Sequence, residues 1–314
     1  MGAGPAQEHE AFDWGLPSCA FAAADLARVS ASPTVAGMRQ LVDDLRARGL
    51  RTTCTGHLTL SNLEDNSGSY FHTAYNMRVW EYASVFDLCQ LGPAVRVLDA
   101  GGASSIIDFY AASLGAQVVS IDLQADLVYN ASQVARSMGW SNLVAERMDL
   151  TDLRFPDASF DAVVSISVLE HLPDALKRRA IEEFARVVKP GGLVGLTFDF
   201  GEPVGEATTY KYDLHDQAHS PLRNDADVER LFLQVPTLQP LGGRRERPDR
   251  IEVDLRSIRR AYLYQAWREP ALARRLIQGL KYALWRRWVN PYFRYTFCRL
   301  ILERGPGAAA SPGK

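Results

Sequence analysis

No apolar run in the 314-residue chain approaches the roughly 18 residues a membrane span needs, and its first ten residues, MGAGPAQEHE, carry neither a basic start nor an apolar stretch. Neither a spanning nor a secreted protein is expected. Only four cysteines occur, Cys19, Cys54, Cys89 and Cys298, and none belongs to a C-x-x-C pair. That argues against a zinc knuckle or a redox couple and fits thiols kept reduced in a cytoplasmic protein. Ala6 stands where a myristoylation signal wants Ser or Thr. There is no internal repeat. Net charge is small, −2, but residues 244–304 hold 16 Lys/Arg against 6 Asp/Glu, so one end is basic and the remainder acidic.

What is present is enough for a packed core, with 47% hydrophobic residues. Residues 1–12 read as a loose tail. Ser32 and Pro33 offer a cap and a first-turn proline for a helix to about Arg48, with Val35, Met38, Leu41, Val42 and Leu45 on one face. A second helical pattern over residues 70–91 completes an N-terminal helical cap, residues 1–90. Strand and helix then alternate. The spacing predicts strands over residues 95–99, 117–122, 143–148, 160–167 and 193–198, and helices over 105–114, 125–138 and 174–188, the last capped by Asp174 and ended by Lys189-Pro190-Gly191-Gly192. A core of residues 91–243 follows, with a long irregular lid at 199–224. Residues 238–243 and 295–302 suit a sixth strand and a seventh, edge strand, with a basic helical insertion within residues 244–304 and a disordered tail at 305–314. The fold class is α/β, a doubly wound Rossmann-like seven-stranded sheet.

Residues 95–123 organise the rest. Asp99 at a strand end can face a cationic or hydroxyl-rich ligand, and Gly101 and Gly102 let backbone approach it. The following helix start presents unpaired N–H groups. Asp122, with Leu123 beyond it, ends the next strand where a ribose diol can be bound. A dinucleotide fingerprint would need glycine at Ala103 and Ile106, so a nicotinamide cofactor is discounted.

VLDAGG, SID, MDL at 148–150, FDAVVSISVLEHL and KPGG recur in an order and spacing that resembles the class I S-adenosylmethionine-dependent methyltransferases, over about residues 78–200. The resemblance implies S-adenosylmethionine as cofactor. Asp99 and the Gly101 backbone would lie along its methionine part, Asp122 at both ribose hydroxyls, Asp149 and the Leu150 amide at the adenine edge, and Ser167 near the methionine end, with Leu123 also among the cofactor-binding residues. Arg78 resembles the basic residue that some members send to the methionine carboxylate. Where the family has G-x-G-x-G, this chain has Gly101, Ala103 and Ser105, and Ser105 is placed to cap the helix.

Methyl transfer to a hydroxyl needs the nucleophile held about 3 Å from the methyl carbon and a base for its proton. His171 in SVLEHL, His215 and His219 in the lid, and Asp199 after the fifth strand are the candidates. The pair His215 and His219 would suit a metal only on a helix, and no metal is expected. His72 reads as packing. The expected acceptor is a small-molecule, saccharide-like, or carrier- or lipid-linked hydroxyl, with amine or carbon as alternatives. Nucleic acid is not expected, since no binding module occurs. The Arg/Trp-rich residues 281–295 leave open a second class, a non-catalytic protein of the same fold docked on a membrane or anionic partner.

Overall fold

A computed structural model describes residues 12–21, 26–52, 77–200, 222, 224–242, 276 and 296–306. The strands are β1 (Cys19–Ala20), β2 (Arg96–Ala100), β3 (Gln117–Asp122), β4 (Leu143–Arg147), β5 (Phe160–Ile166), β6 (Val188–Phe200), β7 (Leu238–Pro240) and β8 (Thr296–Arg304). The helices are α1 (Leu26–Val29), α2 (Pro33–Ala47), α3 (Met77–Leu88), α4 (Ile106–Ser113), α5 (Ala125–Met138), α6 (Asp174–Val187) and α7 (Asp225–Phe232). The sheet runs β1-β8-β6-β5-β2-β3-β4, with β7 also pairing β8. β2 to β6 are mutually parallel, and β8 is antiparallel to its neighbours. β2 to β8 form the seven-stranded mixed sheet, and two-residue β1 is an addition to it.

Alternate residues of each strand serve opposite faces. Val97, Val118, Ala162, Val164 and Ile301 join the core beneath α2, α3, α4 and α5. Leu98, Ile121, Val163, Leu196 and Leu300 join the core beneath α6 and α7. Helices on both faces explain why the central strands are apolar throughout rather than alternating with polar residues. The apolar stripe of α2 is buried as its spacing predicts, and Ser32 caps it by accepting the Val35 N–H. Ser105 caps α4 in the same way through the Asp108 N–H.

Four local expectations are corrected. Strand β8 is interior rather than an edge, because β1 and β7 pair along its far side. The N-terminal segment is drawn there by Arg299, fully buried, which donates to the carbonyls of Trp14, Leu16 and Pro17 and lies 4.8 Å from the Trp80 ring centre. The sequence Lys189-Pro190-Gly191-Gly192 does not separate helix from strand: β6 begins at Val188 and absorbs those residues as an irregularity opposite Phe160 and Ala162, with Gly191 at φ +76°. Asp174 lies in the first turn of α6 instead of capping it, pairing with Lys177 and Arg230. The expected lid begins later than residue 199, since Asp199 and Phe200 belong to β6 and Asn224 caps α7, while its residues 201–221 and 223, the basic insertion apart from residue 276, Cys54, His72, His215 and His219 lie outside the described residues. Among the described residues no helix is long and apolar enough to cross a membrane.

α3 is buried around its whole circumference from Val79 to Phe86 and rests directly on β6. The approach depends on Gly195, where an added Cβ would come within 2.6 Å of Cys89 Sγ and 2.8 Å of Val85 Cγ1. Gly195→Ala is expected to lower stability by about 1–3 kcal/mol through overpacking, as read from urea unfolding midpoints. An unchanged midpoint would contradict this packing.

Candidate functional site

Three loops converge where the chain order of the sheet reverses, between β2 and β5. Open α/β sheets bind ligands at this place, outside the carboxyl ends of their strands. Gly101, just after β2, has φ +89°, and a Cβ there would lie 2.7 Å from Val168 after β5 and 3.4 Å from Leu150 after β4. Both its backbone angle and its surroundings therefore require glycine. At Gly102 a Cβ would collide with the Asp99 carboxylate, which folds back beneath the turn.

Asp99 is buried at the end of β2, accepts the Ser105 hydroxyl at 3.1 Å, and keeps Oδ1 without an N–H or hydroxyl donor. Burial pushes it up to about 6. Asp108, facing it from α4 and bonded to the Ser120 hydroxyl at 2.6 Å, is driven well above the carboxylate range by burial and by the charge of Asp99. Asp122 ends β3 and accepts the Gln124 N–H at 2.8 Å, with further backbone bonds from Ala103 and Leu123. Burial raises Asp122 to about 6 as well. The Ala103 bond ties the turn after β2 to the tip of β3, and Gly101 N–H donating to the Ile121 carbonyl at 2.8 Å ties it again. Leu123 is 58% exposed beside this tip. Asp149 is exposed, with Oδ1 taken by the Thr151 N–H and hydroxyl at 2.8 Å each, while Leu150 is buried against the turn.

On the other side, the ends of β5 and β6 carry a buried polar cluster. Its hub is Glu81 of α3, which the sequence reading missed. Glu81 accepts the Ser167 hydroxyl at 2.7 Å, the Thr197 hydroxyl at 2.6 Å and Arg78 at 2.8 Å. Arg78 also donates to the Ser167 hydroxyl and stacks 4.6 Å from the Phe297 ring centre. Burial opposes its charge, but Glu81, Asp199 and Glu170 outweigh that and hold the guanidinium above its ordinary value. Ser167 follows β5 at φ +52°, a left-handed conformation that a serine holds only when its surroundings fix it. Glu170, also missed, is buried in the turn Leu169–His171 and accepts the Asp199 N–H at 3.3 Å. Burial raises Glu170 and Asp199 each to about 7, with the charge of Glu81 adding to both and that of Glu170 adding to Asp199. His171 is close enough to Asp199 to lower it in part.

The arrangement thus has two compartments. One offers backbone N–H groups and carboxylates to a hydroxyl-rich ligand, and the other offers near-neutral carboxyls beside an arginine. Among the described residues no cluster of His, Cys, Asp and Glu has the makings of a metal site.

Residues 98–196 match a family model described as a methyltransferase domain. The chain is 31% identical over 162 residues to phosphoethanolamine N-methyltransferase 3 of Arabidopsis thaliana, covering 49% of this chain and 32% of that one. It is 40% identical over 109 residues to a ubiquinone biosynthesis O-methyltransferase of Xanthomonas campestris, covering 33% and 43% respectively. These alignments span well under half the length of either relative. In fold the chain is similar to the crystal structure of MccD protein, with a TM-score of 0.57 at 14% identity over 72% of this chain and 96% of that one. With this sheet order and this glycine turn, residues 98–196, running from β2 into β6, are similar to a methyltransferase domain.

The raised carboxyls have a consequence for stability. A carboxyl that holds its proton more tightly folded than unfolded favours the native state most at low pH, and loses that advantage as pH rises from its ordinary value to its folded one. Relative to the double variant Glu170→Gln/Asp199→Asn, the wild type should lose stability between about pH 4 and about pH 7 and then run parallel to it. Thermal unfolding of both proteins over that range is the check, and a constant difference would contradict the burial of the pair.

Proposed function

We propose that the chain transfers a methyl group from S-adenosylmethionine to a hydroxyl oxygen of a small-molecule, saccharide-like acceptor. The observation that carries this is the convergence of Asp99, the Gly101–Gly102 turn and Asp122 at the crevice between β2 and β5. The residues fit the cofactor. Gly101 and Gly102 leave room for its close approach, Asp99 is held beneath the turn by Ser105 and Asp108, and Asp122 is fixed by three backbone bonds.

In this reading Asp99 and the Gly101 backbone line the methionine moiety and Asp122 accepts from both ribose hydroxyls. Leu123 and Leu150 flank the adenine, with Asp149 and the Leu150 N–H at its edge. Arg78, braced by Glu81 and Phe297, faces the methionine carboxylate, and Ser167 contributes its backbone there. Bound in this place, the cofactor supplies a methyl group activated by its sulfonium. The protein then has to hold the acceptor oxygen in line and take its proton. Asp199 suits the second task, because a carboxyl near neutrality can accept a proton from a hydroxyl and return it to water. His171, adjacent to Asp199, is the second candidate. The relatives named as an N- and an O-methyltransferase support methyl transfer to a small acceptor without deciding the atom.

S-adenosylmethionine at about one hundred times its dissociation constant should add about 2.7 kcal/mol of stability and raise the melting temperature by several degrees. Asp122→Ala should remove most of that shift while leaving the unliganded protein folded. A wild-type protein with no shift and no calorimetric binding would overturn the proposal.

A further inference from the structure

Glu170 is fully buried, and although its Oε1 holds the Asp199 N–H, its Oε2 has no hydrogen-bond partner. Asp199 Oδ1 is buried and unpartnered as well. Two buried carboxylate oxygens left open on residues that hydrogen-bond to one another are costly to maintain, and native proteins seldom keep such groups without a use. They do not belong to the cofactor compartment: they sit at the ends of β5 and β6, beyond Ser167 and Val168, on the side away from Asp122.

The neighbouring charges leave the place negative. Arg78 is directed to Glu81 and Ser167, and Lys177 to Asp174. The charged and titratable groups that bear on the pair are Arg78, Lys177, Glu81 and His171; with Asp174 facing Lys177, two cations stand against the four carboxyls of Glu81, Asp174, Glu170 and Asp199, with the imidazole at the margin. Burial favours the protonated forms of both groups, and the cations at hand do not offset it. A ligand that brought its own positive charge and its own N–H donors would release those protons and satisfy both oxygens together.

We propose that Glu170 and Asp199 form a subsite for an ammonium group carried by the acceptor. This rests on the reading that the crevice between β2 and β5 holds the methyl donor. With a hydroxyl as the methylated group, the acceptor class becomes an amino alcohol or amino sugar, its nitrogen seated on the pair and its oxygen turned toward the cofactor. Glu170 then acts as the counter-ion, while Asp199 serves both the nitrogen and the departing proton.

The test is isothermal titration of the full chain, saturated with S-adenosylhomocysteine, against 4-aminobutan-1-ol and its uncharged counterpart butane-1,4-diol. The amine should bind at least about ten-fold more tightly, as expected for hydrogen bonds to a charged group. Glu170→Gln and Asp199→Asn should each remove most of that preference while S-adenosylhomocysteine affinity stays within about two-fold. Equal affinity for the two probes, or a preference that survives in both variants, would overturn the subsite. So would Glu170→Gln weakening S-adenosylmethionine but not S-adenosylhomocysteine, since the pair would then serve the sulfonium. Failure of S-adenosylhomocysteine itself to bind would instead sink the underlying methyltransferase reading. Mass analysis of any methylated 4-aminobutan-1-ol separates transfer to oxygen, as inferred, from transfer to the nitrogen, which would contradict the seating of that nitrogen on the pair.

Discussion

The contact between the Gly101 turn and Val168 governs the site. Two loops that are far apart in the chain meet there with no room for a methyl group between them. This meeting closes the floor of the crevice at the reversal of strand order, and everything placed on either side takes its position from it. Because Gly102 is equally bare, the Asp99 carboxylate can fold beneath the turn, and because Ala103 donates to Asp122, the next strand tip is held in register with the first. A side chain at either glycine would push the loops apart before it touched a ligand.

The second constraint is electrostatic. The crevice is walled by carboxyls that have lost contact with water, and the protein manages them in three ways. Asp108 remains protonated against Asp99, Glu81 is saturated by Arg78, Ser167 and Thr197, and Glu170 with Asp199 stays partly open. The first two arrangements are complete without a ligand and serve to fix geometry. Glu81 in particular joins α3 to the ends of β5 and β6, so that Arg78 and Ser167 cannot move independently. The third is incomplete, and incompleteness at the strand ends beside such a site is where chemistry with a bound molecule belongs.

Much of the fold was legible because its signals are local. Strand β3 and helix α5 fall on the residues their periodicity predicts, and Ser32 and Ser105 cap the helices they precede. The glycine turn and its flanking carboxyls were legible for the same reason: Asp99, Gly101 and Asp122 lie within a single strand–turn–helix–strand unit. Glu81 was not, since its partners Ser167 and Thr197 are 86 and 116 residues away and nothing near it in sequence distinguishes it from a surface glutamate. Glu170 was hidden beside the more conspicuous His171. The interior place of β8 depends on Arg299 reaching residues about 280 positions earlier, a pairing that no local pattern encodes.

The central claim is that strand-end carboxylates and a bare glycine turn converge on one adenosyl ligand. A crystal structure of the chain with S-adenosylhomocysteine tests it most directly. The account predicts the ribose hydroxyls within hydrogen-bond distance of Asp122, the homocysteine chain along the Gly101 turn, and the sulfur directed toward Ser167 and the Glu170–Asp199 pair. Density for the ligand elsewhere, or a ribose that ignores Asp122, would contradict it.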